Sequence, residues 1–340
     1  NNLDSYDPSD VGRVNGNLFG LPFDYDSAQT IVFGVPWEVT VSYNRGTAAA
    51  PQQILDASPQ LDLYDFDNPQ GWQRGIYMPL IDLDLLAKNN YYRQQATRII
   101  DRLEQGKSLD LEPDLTPILA DINQAGQDLN RWLFDRTQAA INAGKKVGVI
   151  GGDHSVPLGY MQALADRYPD YGILHVDAHS DLRDAYEGFE FSHASIMFNA
   201  LKIPQISKLV QVGIRDVSKV EIDTIERSQG RAIAYYDSLL KQQLYSGTTW
   251  LSICTEAIAH LPQKVYISFD VDGLDPKLCP STGTPVPGGL ELEQAFCLCR
   301  EVIRSGREII GFDVCEVGNA EWDGNVGARI VYKLVNLMNL

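Results

Sequence analysis

The chain has 340 residues, 44% of them hydrophobic and 21% charged, which is the composition of a globular protein rather than a disordered or fibrous one. Its 28 Lys and Arg stand against 45 Asp and Glu, a formal net charge of −17. Such an excess repels phosphate backbones and anionic lipid, so neither a nucleic-acid nor a membrane partner is expected, and no apolar run is long enough to span a bilayer.

Residues 1–29 are rich in Asn, Asp, Gly and Pro and show no sustained period. They read either as an irregular arm on the body of the protein or a neighbouring subunit, or as a disordered tail. The chain does not open with a basic segment leading into an apolar stretch, so no signal peptide is expected. Thr30 to Pro36 is the first strand candidate, an apolar run closed by a Gly/Pro breaker. Residues 38–62 carry a turn at Gly46-Thr47 and a short helix after Pro51. Residues 92–106 read as an amphipathic helix and 115–143 as one long or two shorter helices, with a loop from Gly106 to Pro113 between them. From Lys145 onward the pattern is regular. Apolar runs at 147–150, 172–176, 209–214, 232–235, 265–269 and 309–314 are mostly separated by helix-length segments. Short β-branched runs alternating with helices predict a parallel sheet covered on both faces. The expected fold is a single three-layer α/β/α domain over residues 30–340, preceded by the arm 1–29. All five cysteines lie beyond residue 253, their number is odd, and no C-x-x-C pair occurs, which predicts a reduced, cytoplasmic chain.

Ligands of open α/β sheets bind beyond the carboxyl ends of the strands, so the residues just after each apolar run are the informative ones. Gly151-Gly152-Asp153-His154-Ser155 follows the run at 147–150, and Asp177-Ala178-His179-Ser180-Asp181 the run at 172–176. Asp270-Val271-Asp272 follows 265–269, and Glu316 follows 309–314. Histidine with several carboxylates and no cysteine is a donor set for Mn²⁺, Ni²⁺, Co²⁺ or Zn²⁺. There are too many carboxylates for one ion, and they suit a pair ~3.5 Å apart that share a water and lower its pKa. In extended chain, Asp177, His179 and Asp181 point the same way, as do Asp270 and Asp272. Like charges on one edge repel unless a cation holds them. Against these stand plainer readings. Asp153 and Asp184 read as helix N-caps. His175, inside its strand, is expected to pack on the opposite face. His260 is expected to be structural.

Together, the segments 151–155, 177–181 and 268–276 (SFDVDGLDP) resemble the three signatures of the ureohydrolase (arginase/agmatinase) family, from about Ile31 to the C-terminus. The resemblance implies an arginase-type fold with a parallel sheet of about eight strands, and hydrolysis of a guanidinium C–N bond to release urea. It implies one metal held by His154, Asp177, Asp181 and Asp270, and another by Asp177, His179, Asp270 and Asp272. Asp177 and Asp270 would bridge, with a hydroxide between the ions as nucleophile. Glu316 matches the glutamate that grips the guanidinium, and His193 the histidine that shuttles protons at the leaving group, where a base of near-neutral pKa is required. The segment 181–188 (DLRDAYEG), with Ser192-His193-Ala194-Ser195, is similar to the agmatinase-like branch. Arginases carry an Asn near the position of Arg183, so arginine is expected to be a poor substrate. Two departures, Glu316-Val317-Gly318-Asn319 and Gly46-Thr47-Ala48, together with the arm and Trp322, look similar to guanidine hydrolases, which implies nickel, with manganese as the alternative. A Trp322 indole over the guanidinium would offer a cation–π face and shorten the pocket, unless it is a core or interface tryptophan. Free guanidine is therefore the expected substrate and agmatine the alternative, with formimidoylglutamase and arginase chemistry ranked lower. The resemblance also implies a homo-oligomer, a trimer or hexamer. Two other classes compete: a single-metal deacetylase-like enzyme, and a non-catalytic relative. The simultaneous presence of His154, Asp272 and Glu316 argues against both.

Overall fold

The computed structural model describes residues 3–340. Eight strands form one parallel sheet: β1 (Thr30–Val35), β2 (Ile76–Tyr77), β3 (Lys146–Gly151), β4 (Tyr171–Val176), β5 (Ile206–Ile214), β6 (Ala232–Tyr236), β7 (Lys264–Asp270) and β8 (Glu308–Cys315). Their spatial order is β2-β1-β3-β8-β7-β4-β5-β6, parallel throughout. β1 and β4 are buried along their whole length, as strands covered on both faces must be.

Side chains alternate between two cores. Ile31, Phe33, Ile173 and Leu209 belong to one, and Val32, Leu174, Val176 and Val210 to the other. α2 (Leu83–Glu104), α3 (Leu115–Asn142) and α4 (Leu158–Arg167) seal the first core, and α1 (Ala50–Ala57) lies with the second. The short α5 (Ile196–Ala200) joins that layer. α6 (Lys219–Arg227) and α7 (Asp237–Tyr245) flank β6. α8 (Trp250–Ala259), α9 (Leu292–Arg304) and α10 (Glu321–Met338) complete the second layer. This is the expected three-layer α/β/α sheet.

The strand order positions the site. β3 and β4 follow each other in sequence, yet β8 and β7 lie between them. The chain crosses over, builds outward to β6, and returns to fill the gap. Such a switch point leaves a crevice at the carboxyl ends of the central strands. β3, β8, β7 and β4, adjacent in space, are the four strands that carry the singled-out residues.

Several elements differ from the sequence reading. β2 has two residues, too few to show a period. α2 begins at Leu83 rather than at residue 92: Asp82 caps it by accepting from the Leu85 N–H at 3.0 Å, while the exposed Leu83 and the Asn89-Asn90 pair mask the periodicity. α3 is one continuous helix. Within the first 29 residues, Leu18, Phe19 and Leu21 are buried in the core. The Asn17 side chain donates to the Ile76 carbonyl at 2.8 Å and accepts from the Met78 N–H at 3.0 Å. Among the described residues, no helix is long and apolar enough to cross a membrane.

Candidate metal centre and substrate cavity

The turn after β3 is set by glycine. Gly152 has φ +43°, and a Cβ there would lie 2.5 Å from the Trp37 carbonyl oxygen. The turn brings the His154 N–H to Glu316 Oε1 at 2.8 Å, joining the ends of β3 and β8. Asp181 and Glu316 adopt φ of +56° and +69°. Non-glycine residues hold such conformations only where their surroundings enforce them, and they cluster at functional sites. Asp270 closes β7, and Asp272 sits in the tight turn Val271–Gly273 that follows.

The six side chains expected as ligands converge. His154 Nδ1 lies 3.1 Å from Asp177 Oδ2, 3.2 Å from Asp181 Oδ2 and 3.4 Å from Asp270 Oδ2. His179 Nδ1 lies 3.0 Å from Asp272 Oδ2 and 3.4 Å from Asp177 Oδ1. Donor atoms of His154, His175, Asp177 and Asp181 fall within 4.8 Å of one another, and so do those of Asp177, His179 and Asp272. Asp177 belongs to both groups: its Oδ2 faces His154 and His175, and its Oδ1 faces His179. His154 and the four aspartates are at most 5% exposed.

The charge of this cluster fits divalent cations. Asp181 Oδ2 is buried without a hydrogen-bond partner. Burial, and then the Asp177 carboxylate, push Asp181, Asp270 and Asp272 above the usual carboxylate range. Burial alone would lower His179, but the Asp272 and Asp177 carboxylates override it and raise it. Buried negative charge of this density needs compensation, and imidazole with carboxylate is a donor set for two such ions.

A supporting layer orients the histidines. His154 Nε2 lies 2.7 Å from Ser268 Oγ, which donates to Asp313 Oδ2 at 2.8 Å; Tyr266 OH donates to the same oxygen at 2.6 Å. His179 Nε2 faces Asp216 Oδ2 at 3.4 Å. In both histidines Nε2 is engaged and Nδ1 is turned to the ligand cluster, the arrangement that fixes ring orientation at metal sites. Arg215 donates to the Asp272, Gly273 and Leu274 carbonyls and pins the Asp272 turn. Ser268, Asp313, Tyr266, Gln211, Asp216 and Arg215 were not singled out from sequence.

The readings of His175, Trp322 and Asp153 need correction. His175 does not pack on the opposite face. Residues i and i+2 of a strand share a side, and its Nε2 lies 2.8 Å from Asp177 Oδ2 while its Nδ1 faces Gln211 Nε2 at 3.0 Å. Burial lowers its pKa, so it remains neutral. Trp322 does not stack over the site. It is 55% exposed in the first turn of α10, with its indole N–H on the Lys277 carbonyl, and is absent from the cavity lining. Asp153 does not cap α4: its Oδ1 accepts from the Ser155 N–H inside the turn, and α4 starts later, at Leu158. Asp184 is exposed, and His260 ends α8 on the surface beside Tyr235.

Beside the cluster opens a cavity of about 260 Å³, lined by His179, Asp181, His193 and Thr284 and, outward, by Arg183, Tyr186, Asp216 and Glu221. Burial, then the neighbouring His179, hold His193 down to about 4, so its ring is neutral near pH 7. Its Nδ1 lies 3.3 Å from Thr40 Oγ1. Glu316 is 4% exposed; burial, then Asp153 and Asp272, raise its pKa well above the carboxylate range. Its Oε1 accepts the His154 N–H, and Glu316 lies outside the lining of this cavity. Arg183 lies over the Tyr186 ring at 5.3 Å and 3.7 Å from Glu221.

The model of the arginase family matches residues 28–337. An N(1)-aminopropylagmatine ureohydrolase of Thermus thermophilus is 30% identical over 318 residues, covering 93% of this chain and 92% of that protein. An agmatinase of Bacillus subtilis is 26% identical over 318 residues, covering 92% of each. Among solved structures, the proclavaminate amidino hydrolase of Streptomyces clavuligerus superposes with a TM-score of 0.72 at 20% identity, covering 97% of this chain and 99% of that one.

Proposed function

We propose that this chain, which belongs to the arginase family and is thereby a hydrolase of guanidino C–N bonds, releases urea from a guanidino compound with an extended amine tail, of the agmatine class. One observation carries the reading: two donor groups that share Asp177, at adjacent strand ends, beside a cavity that contains His193.

His154, Asp177, Asp181 and Asp270 would hold one ion, and Asp177, His179, Asp270 and Asp272 the other. Two divalent ions held there would supply a nucleophile from water near neutral pH and would offset the carboxylate charge. Glu316 offers the planar guanidinium a bidentate carboxylate partner. His193, neutral at the start, moves a proton to the departing amine. Manganese is the ion proposed, because carboxylates dominate the donor set and favour harder cations. The preference for nickel came with the guanidine branch, and the outward position of Trp322 removes its motive.

The same fact shifts the substrate from free guanidine to agmatine. No indole shortens the pocket, and the cavity continues past His193 to Tyr186, Asp216 and Glu221. Glu221 offsets the Arg183 charge, and Asp216, whose Oδ2 faces His179, is exposed and leaves its other oxygen for an ammonium group. The test is urea release from agmatine, aminopropylagmatine, guanidine and arginine by enzyme loaded with Mn²⁺ or Ni²⁺. An agmatine-type substrate should give the highest kcat/KM, with arginine poor. A preference for free guanidine would reject the tail and leave the hydrolase reading in place.

A further inference from the structure

Thr40 has no place in any motif of this sequence, yet the structure spends much of its local hydrogen bonding on holding it. Its loop runs from the end of β1 toward Gly46 and is bolted from two sides. From α2, Asn89 Oδ1 accepts the Glu38 N–H at 2.8 Å and Arg93 Nη1 donates to the Val39 carbonyl at 3.0 Å. Asn89 and Arg93 are 2% and 7% exposed, polar residues kept inside a helix packing face. From the β3 turn, the Asp153 N–H donates to the Trp37 carbonyl at 2.8 Å, one residue before His154. Glu38 Oε2 then accepts from the Gly46 and Ala48 N–H groups and closes the loop on itself. The side chain fixed at the centre is Thr40, 4% exposed, whose hydroxyl meets His193 Nδ1 at 3.3 Å.

On its other side the His193 ring meets the Tyr186 ring edge-on, with centroids 6.1 Å apart and planes at 78°. The imidazole is held between a hydroxyl and an aromatic wall, and among the described residues its second nitrogen, Nε2, has no hydrogen-bond partner in the cavity wall.

We propose that Thr40 is the positioning residue of the proton shuttle: the His193 Nδ1–H donates to Thr40 Oγ1, which leaves the lone pair on Nε2 for the substrate. This rests on the reading of His193 given above. The proton balance follows. Nε2 accepts a proton from the oxygen that has added to the guanidinium carbon. The imidazolium keeps its Nδ1–H on Thr40. As the C–N bond breaks, its electron pair goes to the amine nitrogen, which takes the proton back from Nε2. The ring returns to its starting tautomer with nothing consumed. Without the hydroxyl, the neutral ring partitions between tautomers and rotates about χ2, and part of the population presents an N–H where a lone pair is needed.

The experiment uses the metal-loaded full chain and four variants: Thr40→Val, which keeps the shape and removes the hydroxyl; Thr40→Ala, for use if the valine form is insoluble; Thr40→Ser, which keeps the hydroxyl; and His193→Ala. Urea release from agmatine and bound metal are measured for each. Thr40→Val should lower kcat about tenfold, the scale of one hydrogen bond, with KM within about twofold and metal content unchanged. Thr40→Ser should restore kcat, and His193→Ala should lose more than Thr40→Val. A Thr40→Val enzyme with wild-type kcat overturns the proposal, and so does a Thr40→Ser enzyme as slow as the valine form. A fully active His193→Ala enzyme overturns it together with the shuttle reading, whereas an inactive His193→Ala beside an unimpaired Thr40→Val leaves the shuttle standing and rejects Thr40 alone.

Discussion

Replacing Asp313 by Asn tests whether metal binding depends on the layer behind the ligands. Asp313 is fully buried in β8 and is absent from the lining of the cavity beside the cluster. It accepts from Tyr266 OH at 2.6 Å and from Ser268 Oγ at 2.8 Å, and Ser268 Oγ meets His154 Nε2 at 2.7 Å. Asparagine keeps the shape, loses the charge and turns one end into a donor. A hydrogen bond to a charged acceptor contributes ~1.5–3 kcal/mol and a neutral one ~0.5–1.5 kcal/mol, so two weakened bonds cost about 2 kcal/mol. At 1.4 kcal/mol per tenfold, that is roughly thirtyfold. If the loss is felt as misorientation of His154, metal affinity should fall by that factor, inside the ~10–100-fold range for residues behind metal ligands. Chelator competition on the purified chain, with bound metal measured after dialysis, gives the number directly. Excess metal should recover most of the urea release. An Asp313→Asn protein that binds both ions with wild-type affinity would refute the reasoning.

Other outcomes follow from the same geometry. Asp270→Asn removes a charge from both proposed ion positions. It should cost at least about a hundredfold in urea release and reduce bound metal, more than a supporting residue does; an active variant holding two ions contradicts it. Trp322→Ala should leave the ratio of kcat/KM for agmatine and guanidine within about twofold of wild type, since the indole lies outside the cavity lining; a large shift toward agmatine would restore the shortened pocket. Activity should rise from acid toward alkaline pH. Their surroundings raise Asp181, Asp270 and His179, so an ion competes with protons for these side chains. Each displaced proton makes binding stronger as pH rises. His193, held to about 4, adds no acid limb above pH 5. A rate maximum near pH 5 would contradict this.

The central strands were legible because each is a mainly apolar run that ends abruptly in carboxylates and histidines. The spacing of ligand-type residues marked the site, although the extended conformation expected for them does not hold: Asp272 lies in the tight turn Val271–Gly273 and Asp181 has φ +56°. What the sequence hid depends on packing between distant segments. His175, Ser268, Gln211 and Asp313 are polar residues inside apolar strands, and averaging over the run conceals them. Read singly, each interrupts a buried strand, and each forms a hydrogen bond within the site. The orientation of Trp322 is set by how α10 meets the Lys277 loop, a tertiary matter that proximity to Glu316 in sequence does not decide. Thr40 is separated from His193 by 153 residues, and no local pattern connects them.

Two ions per chain are proposed to act in the release of urea. The direct measurement is metal content by elemental analysis across a titration of chelator-stripped protein with Mn²⁺, with urea release from agmatine recorded on the same samples. The prediction is that binding ends at two equivalents per chain and that activity appears with them, while stripped protein is inactive. Saturation at one equivalent, or urea release that persists after stripping, would contradict the dinuclear hydrolase.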